Sequence, residues 1–255
     1  MIGLALIIAV ALITFFRPSQ KGNNDFNAPL EKISYKTISA EEINERIKNQ
    51  EPINVIDLRG KDEYETEHVV GSINITAEEI EAADINFPKE EPIVLIGNEK
   101  NIADFEKTNG FLTGKGWTAF VFEGSIELWK SAVGNTISWG NPESFTDQAK
   151  VTYISQEELE NKMKNEASES YFILDARLRE KFSEKRIAKA RNVPLDELES
   201  QKSEIPFSKQ IIAYGETELE GFRAGVKLYD LGFYNVLVLR EGFSKWKEKG
   251  FPMEQ

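Results

Sequence analysis

Asn54-Val-Ile-Asp-Leu-Arg59 and Ile173-Leu-Asp-Ala-Arg177 are two versions of one phrase, a short apolar strand ending on Asp, then one residue, then Arg. Neither stands alone. Upstream, Ile38-Ser-Ala-Glu-Glu-Ile43 returns as Ile154-Ser-Gln-Glu-Glu-Leu159, and in both a Ser precedes a Glu by three residues, the spacing of a capping box that opens a helix. Downstream, Glu91-Pro-Ile-Val-Leu-Ile-Gly97 returns as Lys209-Gln-Ile-Ile-Ala-Tyr-Gly215. Phe120-Val-Phe-Glu-Gly124 followed by Trp129 returns as Val238-Leu-Arg-Glu-Gly242 followed by Trp246. The offsets are 118 from Asp57 to Asp175, 118 from Gly97 to Gly215 and 117 from Trp129 to Trp246. Four motifs kept in order and register mean two copies of one domain, with a period far too long for a solenoid.

Each copy alternates short apolar runs with amphipathic helical stretches. Continuous runs such as Ile93-Val-Leu-Ile96 and Val236-Leu-Val-Leu239 read as strands buried on both faces, and this alternation predicts a parallel sheet between helices. Phe111, Trp117, Trp129, Phe222, Phe233 and Trp246 fall at strand and helix junctions, where core packing is the expectation. The domains are placed at 35–132 and 151–255, joined by a linker at 133–150 that is rich in Gly, Asn and Ser. Trp139 in that linker is expected to dock the two domains, the alternative being exposure for a partner.

Ahead of the repeat, residues 2–16 read IGLALIIAVALITFF without a charge, and Arg17-Pro18 ends the run. As a helix this is roughly 22 Å against a hydrocarbon core of about 30 Å, and Arg17 can snorkel to extend it. No Lys or Arg precedes the run and no small-x-small site follows it, which argues against a cleaved signal peptide. The expectation is a transmembrane anchor at 1–18 and a polar tether at 19–34. The only flanking cations, Arg17 and Lys21, lie C-terminal to the run, so the positive-inside rule puts the domains on the cytoplasmic side.

The chain of 255 residues has no cysteine and one histidine. That excludes disulfides, thiolate metal sites and cysteine nucleophiles, and leaves little room for histidine-based metal or relay chemistry. His68 itself reads as a residue at a turn before a strand. With 43 acidic and 31 basic residues the net charge is −12, which disfavours binding to nucleic acid.

The order of these motifs resembles the rhodanese family, with two tandem copies covering nearly everything after residue 35. The family's first signature stands as Asp57-Leu-Arg59, Glu63-Tyr64 and His68-Val-Val-Gly-Ser-Ile-Asn-Ile75, and more loosely as Asp175-Ala-Arg177, Glu180-Lys-Phe182 and Arg186-Ile-Ala-Lys-Ala-Arg-Asn-Val-Pro194. The closing signature stands as Phe122-Glu-Gly-Ser-Ile-Glu-Leu-Trp129 and Leu239-Arg-Glu-Gly-Phe-Ser-Lys-Trp246. The resemblance implies two rhodanese-like α/β/α domains, each with a mostly parallel five-stranded sheet, after the N-terminal transmembrane helix.

In such domains a cysteine follows the central strand and starts a tight loop, with an Arg nearby to hold an anionic sulfur donor. Backbone N–H groups and a helix N-terminus suit that chemistry. Aligned on the strand, the cysteine positions are Gly97 and Gly215, and the Arg position of the second loop is Glu220. No thiol exists elsewhere in this chain, so transfer through a protein persulfide is excluded. Glu216, Glu218 and Glu220 are expected to repel an anion from the second loop. They read as solvated carboxylates in preference to a hard-cation site, and no metal or cofactor is expected. In the first loop, Asn98 and Lys100 with backbone donors could hold a small anion, and replacing cysteine by glycine is expected to open space there.

These readings point to a non-enzymatic, membrane-anchored interaction module. Its expected partners are a membrane protein complex and the bilayer through residues 2–16. The alternative is a sensor of a small ligand or anion at the first loop.

Overall fold

The computed structural model describes residues 35–98, 102–134, 136–165 and 169–255. The expected anchor at 1–18 and the tether lie outside the described residues. Among the described residues no helix is long and apolar enough to cross a membrane.

Domain 1 runs β1 (Thr37–Ile38), α1 (Ala40–Lys48), β2 (Asn54–Asp57), α2 (Lys61–Thr66), β3 (Glu67–Val69), β4 (Ile73–Asn74), β5 (Ile93–Ile96), α3 (Ile102–Gly114), β6 (Ala119–Phe122) and α4 (Ile126–Ala132). The segment expected as a linker carries β7 (Thr136–Ser138) and α5 (Phe145–Gln148). Domain 2 follows as β8 (Thr152–Ile154), α6 (Gln156–Asn165), β9 (Tyr171–Asp175), α7 (Arg179–Glu184), β10 (Arg186–Ile187), β11 (Arg191–Asn192), β12 (Gln210–Tyr214), α8 (Glu218–Asp230), β13 (Val236–Leu239), α9 (Gly242–Glu248) and β14 (Met253–Glu254).

The repeat in the sequence becomes a repeat in space. The two five-stranded sheets are ordered β1-β6-β5-β2-β4 and β8-β13-β12-β9-β11, and every pairing in both is parallel. The capping boxes form as spaced. Ser39 Oγ accepts from the Glu42 N–H and the Glu42 carboxylate accepts from the Ser39 N–H, and Ser155 and Glu158 do the same. All four residues of β5 are buried, as a strand covered by helices on both sides must be. Trp129, Trp246, Phe222 and Phe233 are buried, while Phe111 and Trp117 pack partly buried against the core.

Each domain has one apolar cluster on either side of its sheet. A second motif recurs at the sheet edge. Asn74 and Asn192 each donate two hydrogen bonds from the amide, to the carbonyls of Asp57 and Arg59 and of Asp175 and Arg177. These bonds tie the turn after β2 or β9 to the neighbouring short strand and thereby fix where the Asp and Arg side chains stand.

Candidate functional site

The candidate site is the loop leaving β5 in domain 1 and β12 in domain 2, with the Asp-x-Arg pair beside it. In both copies the Arg is withdrawn from water and held by fork hydrogen bonds to the Asp. Arg177 bonds the Asp175 carboxylate at 3.0 and 2.7 Å, and Arg59 bonds Asp57 at 3.0 and 2.6 Å. The remaining donors reach the carbonyl of Lys185 at 2.7 Å and of Glu67 at 2.6 Å. Burial alone would lower the Arg177 pKa, but the Asp175 bond and charge outweigh it and hold Arg177 above the ordinary value. These are structural pairs of the kind that is costly to break from one side.

In domain 2 the three Glu carboxylates are half-exposed, and each also takes a bond from the protein. Arg177 donates a further bond to Glu216 at 2.9 Å, and Ser244 Oγ donates to the same carboxylate at 2.7 Å. Burial pushes Glu216 up, and the bonds from Ser244 and Arg177 outweigh it to hold its pKa below the usual range. Glu220 accepts the Glu216 N–H at 2.7 Å, and Glu218 accepts the Glu241 N–H at 2.9 Å. Thr217 caps α8 by accepting the Glu220 N–H. Just ahead of α8 the Glu216 N–H therefore faces the protein's own Glu220 carboxylate, a favourable charge for a helix N-terminus. Among the described residues no cluster of three or more His, Asp or Glu is placed to hold a metal ion.

The glycines are packed against. A Cβ on Gly215 would lie 2.5 Å from Glu220 Cβ and 2.8 Å from the Gly221 nitrogen. On Gly97 it would lie 2.8 Å from Phe105 Cζ and 3.1 Å from Phe105 Cε1. With glycine at both positions, Glu220 and Phe105 pack directly against the backbone, and the Phe105 ring fills the place a side chain on Gly97 would take. The amide of Asn98 donates to Glu63 at 3.2 Å, and Lys100 lies outside the described residues. Of the sequence-derived site residues, the structure brings together Gly215, Glu216 and Glu220, with Glu218 on the flank.

Several participants were not read from the sequence. In the sequence Arg177 stands as a strand-end residue and a member of the first signature, with nothing that ties it to the loop carboxylate Glu216. Ser244 and Phe243 belong to the closing signature, and the Arg177 guanidinium lies 3.8 Å from the centre of the Phe243 ring. Nothing in the sequence marked Phe105. His68 is buried in β3, with Nδ1 2.8 Å from the Tyr64 carbonyl and Nε2 3.0 Å from the Glu199 carboxylate of the other domain. It lies in a strand, where a turn was expected, because β3 pairs antiparallel with β7. Trp139 lies between the domains, with the Arg223 guanidinium 5.0 Å from its ring centre.

The chain is 32% identical over 77 residues to the uncharacterized protein YqhL of Bacillus subtilis (strain 168), covering 30% of this chain and 61% of that one. Among solved structures it is similar to thiosulfate sulfurtransferase from Pseudomonas aeruginosa, at 18% identity and a TM-score of 0.45 over 86% of this chain and 43% of that one. It is also similar to the rhodanese-like domain of the Anabaena sp. protein Alr3790, at 27% identity and a TM-score of 0.38 over 40% of this chain and 77% of that one. The chain thus spans less than two thirds of the length of the curated relative and of the sulfurtransferase. The family model for the rhodanese-like domain matches residues 39–132 and again 155–249, and the chain therefore belongs to the rhodanese-like domain family, as two domains in tandem.

Proposed function

We propose that this chain is a non-enzymatic interaction module, tethered to a membrane by residues 2–16 and serving as an accessory or scaffold subunit of a membrane protein complex. The observation that carries the reading is the state of the two nucleophile loops. Both have glycine at the cysteine position, and both are closed by a neighbouring side chain, Glu220 in domain 2 and Phe105 in domain 1. A chain without cysteine has no persulfide to form, and a filled loop offers no room for a substitute nucleophile. What is left is a rigid α/β scaffold with an acidic exterior. In this reading the scaffold binds protein, and the cytoplasmic side is the one we assign to it.

The test is extraction of native membranes in mild detergent and capture of the full chain through a C-terminal tag. A protein that co-migrates in fixed stoichiometry through size-exclusion supports the reading, and recovery of the chain alone refutes it. Resistance to alkaline carbonate extraction that disappears when residues 2–16 are removed tests the tether. Protease protection in sealed vesicles tests the side.

A further inference from the structure

Arg223 on α8 faces the junction of the two domains, and its charge is unmatched. Its Nε is buried without a hydrogen-bond partner, and among the described residues no carboxylate forms an ion pair with its terminal nitrogens. Arg59, Arg177 and Arg186 each meet a carboxylate. The chain holds 43 acidic residues against 31 basic, so a counter-ion should be easy to find. A guanidinium that is partly desolvated and unpaired is costly, and such groups in folded proteins call for a partner.

Its position is well fixed. The guanidinium stacks on Trp139, whose backbone N–H donates to the Thr66 carbonyl at 2.9 Å. Gly140 has φ +85°, and a Cβ there would lie 3.2 Å from Arg223 Cα, so the junction segment runs directly against α8. Together these residues wall a cavity of about 520 Å³ that also takes in Lys130 of domain 1 and the hydroxyls of Ser144 and Thr146.

The two carboxylates in the same wall are occupied. Glu67 takes Lys130 Nζ at 2.6 Å and Thr136 Oγ1 at 2.7 Å. Asp147 takes Lys150 at 2.9 Å, Ser138 Oγ at 3.1 Å and the Asn141 N–H at 2.9 Å. The guanidinium is thus the cation left without a partner in this wall. Carboxylates farther than about 8–10 Å are largely screened at physiological salt.

We propose that the cleft between the two domains is an oxyanion site in which the Arg223 guanidinium, lying over Trp139, holds a phosphate or sulfate group. A guanidinium fork matches two oxygens of such a group. The cavity is larger than the anion, so the group arrives either free or on a small organic body lying against Trp139. The wall takes in Thr66 and Lys130 of domain 1 as well as Arg223 of domain 2, so a ligand seated there stabilises the folded chain by mass action.

The test uses the full chain in mild detergent. Inorganic phosphate is titrated by calorimetry, and the urea midpoint is followed with and without it. Saturable binding is expected, with a rise in the midpoint. Arg223→Gln should weaken binding by about tenfold or more through loss of the charged fork, and Arg223→Lys should fall between the two, with native near-ultraviolet circular dichroism in each. Phenyl phosphate distinguishes the sources. Tighter binding than inorganic phosphate identifies an organic phosphate resting on Trp139, and equal binding identifies the free ion. Absence of saturable binding in the parent chain overturns the proposal, as does unchanged affinity in a natively folded Arg223→Gln or Arg223→Lys chain.

Discussion

Gly97 and Gly215 are where the chemistry of this fold is decided, and a substitution at either reads the packing directly. Placing a thiol at Gly215 puts Cβ 2.5 Å from Glu220 Cβ, a separation that real side chains do not tolerate, so the loop must move or Glu220 must leave. Gly215→Cys is therefore expected to destabilise the chain by about 1–3 kcal/mol, the usual cost of overpacking, and to show no thiosulfate-to-cyanide sulfur transfer. Urea unfolding and a thiocyanate assay check both outcomes, and measurable activity in the single variant would show that the loop is not closed. The Asp-x-Arg pairs give a complementary expectation. Arg177→Ala leaves Asp175 buried beside the Tyr214 hydroxyl that donates to it and without its cation. A loss of about 3–5 kcal/mol is expected from stranding one half of a buried pair, measured by the same unfolding curves.

At the level of elements, β7 does more than connect. It pairs with β3 of domain 1 in the register His68 to Ile137, yet Ile137 is 1% exposed and packs in the core of domain 2 with Leu174, Ala224 and Leu228. One three-residue strand thereby gives its backbone to one domain and its central side chain to the other. Ile137→Ala should cost about 2–5 kcal/mol as a buried truncation. It should also separate the domains, so that a single urea transition becomes two when followed by tryptophan fluorescence and by circular dichroism. A single shifted transition would place the coupling elsewhere. The contrast with the other elements explains what could be read in advance. The capping boxes, the apolar runs of β5 and β13 and the recurring Asp and Arg all depend on residues close in the chain, and repetition over 117–118 residues doubles each signal. β7 is a three-residue Thr-Ile-Ser stretch in a segment of Gly, Asn and Ser, with no periodicity to mark it. The closure of Gly97 by Phe105 and of the junction by Glu199 depends on contacts that only the assembled fold creates.

The two domains of the whole molecule also meet through charge, and this makes their union sensitive to acid. Glu199 of domain 2 accepts the Gly71 N–H of domain 1 at 2.7 Å and faces His68 Nε2 at 3.0 Å, with the Lys227 ammonium nearby. Burial pushes Glu199 up, but the bonds from His68 and Gly71 outweigh it, and its pKa is held below the ordinary carboxylate range. Asp147 follows the same pattern, its burial outweighed by the Asn141 N–H and Lys150. A carboxylate depressed in the folded state contributes stability that is fully present above its unfolded pKa, about 3.9 for Asp and 4.3 for Glu. That contribution is lost as pH falls through the folded value. Asp230 opposes them in part, because burial raises its pKa in spite of Lys150 and the Ser138 N–H. Its charged form therefore subtracts from stability near neutrality and ceases to do so in acid. The junction pairs Glu199 and Asp147 outnumber it, so unfolding stability should be flat near pH 6–7 and decline below about pH 4.5. Glu199→Gln should be less stable than the parent at pH 7 and should converge on it as the pH is lowered to about 3, because protonation removes in the parent what the substitution removed at the start. Urea midpoints for both chains across that range decide the matter, and two curves that stay parallel would show that Glu199 does not carry the acid sensitivity of the domain pair.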